Sequence, residues 1–156
     1  MVDNLDSIDR SMPKTRPIAA TISAVIKDGA VLLVRRANAP DVGLWGFPEG
    51  KIDFGETIEA AAVRDLLEET GVVGEAVSVF IAVDDFDIDD SSSVCEHYVL
   101  IAVLCRWISG SPLAGDDALE AAWHDLAQLG MADPGMSFGV AHLARQAAAL
   151  ANTVRS

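Results

Sequence analysis

The sequence is poor in basic residues and lacks a long apolar run. Its 156 residues include 11 Lys and Arg against 24 Asp and Glu, which gives a formal net charge of −13. A field of that sign disfavours non-specific binding to nucleic-acid backbones and to anionic membranes. The longest apolar run, 99–105, is far shorter than the ~20 residues of a membrane span. We therefore expect no nucleic-acid partner and no membrane partner.

Cysteine is also scarce, and the two that occur have no metal-type spacing. Cys95 and Cys105 in a chain of this size favour free thiols in a reducing cytoplasm over a disulfide, so we expect a cytoplasmic protein. Hydrophobic residues make up 51% of the chain, which suits one globular domain. We expect a flexible N-terminal arm at 1–17 and a single domain at 18–154.

The distribution of apolar residues predicts strands in the middle of the chain and helices around them. A tight turn at Asp28-Gly29 joins the first two strands, and an alanine-rich amphipathic helix at 137–154 closes the chain. A further short helix is expected near 125–129. The fold class is therefore α/β (α+β), with a mixed sheet covered by helices on both faces. The predicted strands are 18–26, 30–34, 76–83, 95–107 and 118–124.

The helix predicted from Thr57 to Gly71 concentrates negative charge. On helical spacing, Asp65, Glu68 and Glu69 fall within about one third of its circumference. Like charges at these spacings repel and need a compensating cation, for which a hard divalent ion is suited. The apolar residues expected on the opposite, buried side are Val63, Leu66 and Leu67.

Two stretches are expected to be loops. The stretch 37–50 carries Gly and Pro at intervals that helix or strand would not tolerate uninterrupted. The acidic stretch 84–93 lacks the Gly and terminal Glu of a calcium-binding EF-hand loop, so we expect a solvated loop rather than a second metal site.

The stretch from Gly50 to Val72 resembles the signature of the Nudix hydrolases, GX5EX7REUXEEXGU, in which U is a bulky aliphatic residue. Gly50, Glu56 and the run RDLLEETGV at 64–72 occupy its fixed positions. The one departure is Asp65, where the signature has Glu. VLLVRR before this box and a strand ending in Trp123 after it are also similar to the family, so the resemblance covers most of 18–129.

The resemblance implies a Nudix-like α/β/α sandwich with a central mixed β-sheet and an Mg²⁺- or Mn²⁺-dependent enzyme. Members hydrolyse a nucleoside diphosphate linked to another moiety by attack of water at phosphorus. It implies metal ligation by Glu68, Glu69 and Asp65, and by the backbone carbonyl of Glu49, and it implies that Glu56 pairs with Arg64. Since Asp is shorter than Glu by one methylene, the resemblance also predicts an altered metal number or preference at Asp65.

Other site residues are expected outside the box, each with a purely structural alternative. Glu96 and Glu120 are the candidates for a general base, unless the base lies within the box. The candidates for substrate contact are Arg35 and Arg36 on phosphate, Trp45 and Phe47 on a flat ring, and His97.

The segment SGSPLAGDDALEAAW is similar to bacterial ADP-ribose pyrophosphatases, so a nucleotide-type substrate of the ADP-ribose kind is expected. Hydrolysis of modified (d)NTPs is the alternative within the enzyme class. The alternative outside it is a nucleotide sensor without activity. Glu68, Glu69 and Arg64 argue against this alternative, whereas Asp65 and Glu49, where the family usually has Glu and Gly, leave it open. No sequence feature fixes the oligomeric state, and the N-terminal arm and the closing helix are the segments that could serve a homodimer.

Overall fold

A computed structural model describes residues 16–38, 41–115, 117–130 and 133–155. The predicted arm at 1–17 lies outside these ranges except for Arg16 and Pro17. A 3-10 helix, Leu126–Gln128, follows the last strand, which agrees with the short helix expected near 125–129. The other elements are β1 Ile18–Lys27, β2 Ala30–Arg36, β3 Trp45–Gly46, β4 Glu49–Lys51, α1 Ile58–Thr70, β5 Val73–Ile88, β6 Val94–Ser109, β7 Ala118–Asp125 and α2 Val140–Arg155.

The strands form one mixed sheet. Its main path runs β3-β2-β1-β6-β5, with β4 on β1 and β7 on β2. β1 and β6 pair in parallel from Ile18↔Tyr98 to Val25↔Cys105, and the other pairs are antiparallel. Asp28 and Gly29 both have positive φ, 52° and 77°, as a two-residue hairpin turn requires. The predicted hairpin and mixed sheet are confirmed.

Each face of the central strands carries its own apolar cluster, because successive side chains point to opposite faces. On one face Ile22, Leu33 and Leu104 pack with Ala144 of α2. On the other face Val25, Leu32 and Val103 pack with Leu66 of α1. A helix therefore covers each face, as predicted, and the strands between them are buried on both sides. In the described parts of the chain, neither helix is long and apolar enough to cross a membrane.

Two predicted loops are wrong in part. Residues 84–88 are not loop but the end of β5, and they pair with β6 as far as Ile88↔Val94. Their aspartates alternate with Phe86 and Ile88, which is the period of a strand. The stretch 37–50 contains β3 and the start of β4, because Gly46 and Gly50 pair with neighbouring strands in spite of their low strand preference.

The ends of α1 agree with the prediction, whereas its buried face does not. The Thr57 hydroxyl accepts a hydrogen bond from the Ala60 amide at 3.0 Å, and Gly71 ends the helix at φ 72°. Leu67, expected in the core, is 50% exposed. The side chains that α1 buries are those of Ala61, Ala62, Asp65, Leu66 and Thr70. The core face is therefore turned toward Asp65.

Candidate active site

Asp65 is drawn into the protein because β1 presents hydroxyl groups to α1. The Ser23 hydroxyl donates to the Ala62 carbonyl at 3.0 Å, and the Thr21 hydroxyl donates to Asp65 Oδ2 at 3.4 Å. The Asp65 side chain also packs on the backbone of Gly50, where an added Cβ would lie 2.3 to 2.4 Å from the three carboxyl atoms. Asp65 is consequently 5% exposed. Only glycine at 50 leaves room for this carboxylate.

Arg64 ties the loop before α1 to the helix. Its Nε and Nη2 donate to the two Glu56 oxygens at 2.7 and 2.8 Å, a bidentate pair. Nη2 also donates to the Lys51 carbonyl at 3.1 Å, and Nη1 donates to Asp65 Oδ1 at 2.9 Å. The hydrogen bond to Arg64, followed by that from the Asp53 amide, lowers the pKa of Glu56 to about 2. The structure thus contains the Glu56–Arg64 pair that the resemblance implied.

Glu69 lies in a drier environment than Glu56. Its Oε1 accepts a hydrogen bond from the Glu49 amide at 2.7 Å. Burial raises the pKa of Glu69 to about 7 in spite of this bond, and burial raises the pKa of Asp65 to about 6. The charge of Asp65 adds to the rise in the pKa of Glu69. A bound cation would lower the pKa of both carboxyl groups.

The donor set fits a hard divalent ion only in part. Asp65 and Glu69 offer oxygen ligands of the kind that Mg²⁺ prefers. Glu68, which was expected beside them, has a half-exposed side chain that accepts from Arg64 Nη1 at 3.4 Å. Within the described ranges, no three Asp, Glu, His or Cys side chains are gathered as a metal-binding group. The carboxylates of α1 therefore do not converge on one point as the helical spacing suggested.

A cavity of about 330 Å³ opens beside Glu49. We call it the acidic cavity. Its apolar wall comes from both the sheet and α2 and includes Ile22, Phe47, Ile81, Leu100, Val140 and Leu143. Its polar groups are Arg36, Asp41, Glu49, Asp84, Asp85, Ser137 and His142.

Glu49 joins the acidic cavity to the carboxylates of α1. Its amide holds Glu69, while its own Oε1 lies 2.5 Å from Arg36 Nη1. Burial raises the pKa of Glu49, and Arg36 partly offsets that rise. The wall is closed by Asp41, which accepts a hydrogen bond from the Ser137 hydroxyl at 2.9 Å. The predicted phosphate contact Arg36 thus already has a carboxylate partner.

The remaining predicted substrate contacts are distributed over three places. Phe47 lines the acidic cavity, and His97 Nε2 lies 2.8 Å from Oδ1 of Asp84, which lines the same cavity. Trp45 lines a separate cavity of about 300 Å³. Its ring packs edge-on against the ring of His124, and the two ring centroids are 4.4 Å apart. Arg35 lies on β2 opposite the neighbouring strand β7, where it has its own carboxylate partner.

The two predicted general bases lie apart from the acidic cavity. Glu120 is directly opposite Arg35 in the sheet, and its Oε1 accepts from Arg35 Nε at 2.9 Å. Glu96 lies near the beginning of β6, and its Oε2 accepts a hydrogen bond from the Tyr98 hydroxyl at 3.4 Å. Neither is among the described residues that line the acidic cavity. A base within the box is more compatible with this geometry.

The loop between β6 and β7 holds the C-terminal end of α1. The Leu113 amide donates to the Thr70 carbonyl at 2.9 Å, and the Gly115 amide donates to the Glu69 carbonyl at 2.8 Å. An added Cβ at Gly115 would lie 2.0 Å from the Glu68 carbonyl oxygen. The loop therefore satisfies carbonyls that a helix end leaves without partners.

Sequence reasoning missed Asp41, Asp85 and Ser137 as lining residues. Asp41 and Ser137 meet across a large sequence separation, for which a single sequence carries no signal. Asp85 stands opposite Tyr98 in the β5–β6 pair. The alternation of acidic and apolar residues at 84–88 was the available signal, and the interpretation as a loop hid it.

Comparison with known proteins agrees with the box. The model of the NUDIX domain family matches residues 15–146. An ADP-ribose pyrophosphatase from Methanocaldococcus jannaschii is 35% identical over 113 residues, which are 72% of this chain and 64% of that protein. The chain spans less than two thirds of this curated relative and 44% of the next.

Solved structures share the fold. A MutT NUDIX hydrolase from Burkholderia pseudomallei superposes with a TM-score of 0.68 at 32% identity, covering 85% of this chain and 96% of that one. The NUDIX domain of Shewanella oneidensis NrtR, solved with ADP ribose, has a TM-score of 0.69 at 23% identity and covers 94% and 97% of the two chains. The predicted Nudix-like sandwich is therefore confirmed, and the chain belongs to the NUDIX family.

Proposed function

We propose that this protein hydrolyses a nucleoside diphosphate linked to another moiety, with a substrate of the ADP-ribose kind. The observation that carries the proposal is the desolvated carboxylate of Glu69, which accepts from the amide of Glu49 at the edge of a cavity large enough for part of a nucleotide. Among the described residues Glu69 forms no ion pair with Lys or Arg, and a partly buried carboxylate without a cationic partner is typical of a cation site. Similarity to an ADP-ribose pyrophosphatase and the fold shared with a domain that binds ADP ribose support the substrate.

A divalent cation, Mg²⁺ or Mn²⁺, fits the oxygen donors of Asp65 and Glu69, and we propose that the Glu49 carbonyl and Glu68 complete its ligands. Such an ion neutralises a diphosphate and lowers the pKa of an attacking water. It also explains how a chain with a net charge of −13 accepts an anionic substrate. A cytoplasmic location and a homodimer stay predictions.

The chain's own residues fix the geometry of this site. Arg64 and Glu56 hold the loop before α1 against the helix, and the Glu49 amide orients Glu69. Glu96 and Glu120 are not among the described residues that line the acidic cavity, so we favour a carboxylate of the box as the group that assists the attacking water.

A nucleotide sensor without activity is the second candidate function. It is favoured by Asp65, whose oxygens already accept from Arg64 and Thr21 and which packs on Gly50. A carboxylate held in this way has less freedom to reach an ion than the longer Glu of the family signature.

The test measures AMP release from ADP-ribose and pyrophosphate release from (d)NTPs, each with Mg²⁺, with Mn²⁺ and with EDTA. We expect cation-dependent AMP release that falls at least about 100-fold in Glu69→Gln. Glu59→Gln is the matched control, because Glu59 lies in the exposed first turn of the same helix. Binding of ADP-ribose without release of any product would favour the sensor, and faster turnover of (d)NTPs would move the substrate to that class.

A further inference from the structure

Arg36 is fixed on three sides at the wall of the acidic cavity. Its Nη1 lies 2.5 Å from Glu49 Oε1, and its Nη2 donates to the Phe47 carbonyl at 3.4 Å. Gly46 lies against the guanidinium, since an added Cβ there would be 2.7 Å from Nη2. The Arg36 side chain is 20% exposed and that of Glu49 is 29% exposed. This ion pair is therefore largely sheltered from solvent, and its geometry is set by the backbone around it.

The charge of the acidic cavity is opposite to that of a phosphate site. Among the described residues that line it, Arg36 is the one Lys or Arg, against four carboxylates on Asp41, Glu49, Asp84 and Asp85. Asp41 and Asp85 act on the charge of Glu49 together with Arg36, so these groups share one electrostatic environment. A guanidinium binds phosphate through the donors that a carboxylate otherwise occupies. At Arg36 the carboxylate of Glu49 is already in place.

We propose that Glu49 is a specificity-determining residue: by pairing with Arg36 it makes the acidic cavity a subsite for an uncharged, hydroxyl- or amino-bearing moiety of the substrate and excludes a phosphate group. Carboxylates accept hydrogen bonds from sugar hydroxyls and from amino groups. The apolar wall, with Phe47 and Leu100, suits the flat or weakly polar face of such a moiety. The inference rests on the proposed function, because it assigns the part of the substrate that does not react.

The position of Glu49 makes this role specific to its side chain. The contact with Glu69 uses the Glu49 amide, so a substitution of the side chain leaves that hydrogen bond available. Glu49→Gln keeps the size of the side chain and removes its charge. The guanidinium of Arg36 then regains donors for an anion, whereas the hydrogen bond from the Glu49 amide to Glu69 is kept. The charge of Glu49 also raises the pKa of Glu69, an effect that is common to all ligands and cancels in the ratio between them.

The experiment compares three ligands that differ in where they carry phosphate. These are ADP-ribose, ADP-ribose with an additional 2′-phosphate on its adenosine, and ATP, in which phosphate replaces the terminal ribose. Whichever end of the substrate enters the acidic cavity, one of the two phosphate-bearing ligands places a phosphate there. The measurements are kcat and KM for each ligand with Mg²⁺. Dissociation constants are measured by calorimetry under conditions without hydrolysis, with a divalent cation that does not support the reaction.

For the wild type we expect a lower kcat/KM with at least one phosphate-bearing ligand than with ADP-ribose. In Glu49→Gln the ratio of kcat/KM for ADP-ribose to kcat/KM for that ligand should fall about tenfold. The change should arise from KM, because one negative charge close to the bound phosphate is removed. Asp85→Asn leaves the Arg36–Glu49 pair intact and should lower the same ratio of kcat/KM values by a smaller factor. Glu75→Gln removes an equivalent carboxylate from an exposed ion pair with Arg106 and should change no ratio.

A purely structural role of Glu49 predicts a different result. Glu49→Gln would then lower kcat/KM for all three ligands by one common factor, with or without a loss of stability. The unchanged ratio between the ligands would overturn the inference. If Glu49→Gln fails to fold, an unchanged ratio in Asp85→Asn overturns it instead. If the wild type hydrolyses none of the ligands, the proposed function fails, while the order of the three dissociation constants still decides whether the acidic cavity excludes phosphate.

Discussion

The first half of the box, around Arg64, and the second half, around Glu69, treat their carboxylates in opposite ways. Glu56 receives two hydrogen bonds from Arg64 and one from the Asp53 amide, and its pKa falls to about 2. Glu69 receives one from the Glu49 amide, forms no ion pair with Lys or Arg in the described ranges, and its pKa rises to about 7. In the first half, Arg64 neutralises Glu56 and holds the loop before α1 against the helix. The second half contains a carboxylate, Glu69, that no Lys or Arg among the described residues neutralises.

The largest effect on stability and activity is expected at Gly50, which packs against the carboxylate of Asp65. A Cβ in Gly50→Ala would collide with all three carboxyl atoms of Asp65, which is hydrogen-bonded to Arg64 and cannot withdraw freely. We expect a loss of about 1–3 kcal/mol in the free energy of unfolding and a loss of hydrolysis. Chemical denaturation and AMP release measure the two quantities.

The control for this prediction is Gly130→Ala. The nearest atom to a Cβ at Gly130 is 3.8 Å away, an ordinary contact. Equal stability of the two variants would contradict the close packing of Asp65 on Gly50.

A smaller effect is expected from pH in the second half of the box. The folded-state pKa of Glu69 lies above its ordinary value of 4.5, so its protonated form contributes stability that is fully present below pH 4.5. This contribution is lost as pH rises through about 7. Without divalent cations, the thermal midpoint should therefore fall between pH 5 and 8, and added Mg²⁺ should raise it more at pH 8 than at pH 5, by a few degrees.

Glu69→Gln separates this effect from other titrations. The variant should show a smaller fall in the midpoint with pH and a smaller rise with Mg²⁺. A midpoint that responds to Mg²⁺ equally at both pH values would place the cation away from Glu69.

The smallest effect is expected in the first half. The folded-state pKa of Glu56 lies below its ordinary value, so the stability it contributes is present above pH 4.5 and is lost as pH falls through about 2. Glu56→Gln should unfold at a slightly lower temperature than the wild type at pH 7, and the difference should shrink below pH 4. The pair is partly accessible to solvent, with side chains 31% exposed at Arg64 and 16% exposed at Glu56, so salt should reduce the difference. A difference independent of both pH and salt would mean that Glu56 acts through packing alone.

The features that sequence revealed best are local ones. The box itself, the capping residues Thr57 and Gly71 and the Asp28-Gly29 turn are set by neighbours a few positions away, and all are found in the structure. Periodicity also gave the strands that are buried on both sides, because their apolar runs are almost unbroken. It failed for Leu67, since helical spacing does not say which part of an apolar side meets the sheet.

The features that sequence could not reveal depend on contacts between distant segments. Asp65 was expected to share a cation with Glu68, yet Thr21 and Gly50 hold Asp65 in the protein, and Arg64 Nη1 donates to both carboxylates, at 2.9 and 3.4 Å. Arg36 was expected to face phosphate, and the partner that occupies it, Glu49, is identified only by its position on β4. The roles predicted for Glu96, Glu120 and the metal ligands stay predictions.

The hydrogen bonds from Leu113 and Gly115 to the end of α1 have a consequence for variation among related chains. Insertions and deletions are usually tolerated in surface connections, yet one between Gly110 and Gly115 would move amides that anchor the backbone of Glu69. Length changes in this connection should therefore be compensated within α1, or be accompanied by loss of activity. A loop that is absent from the described lining of the acidic cavity thereby limits how the sequence of α1 is able to diverge.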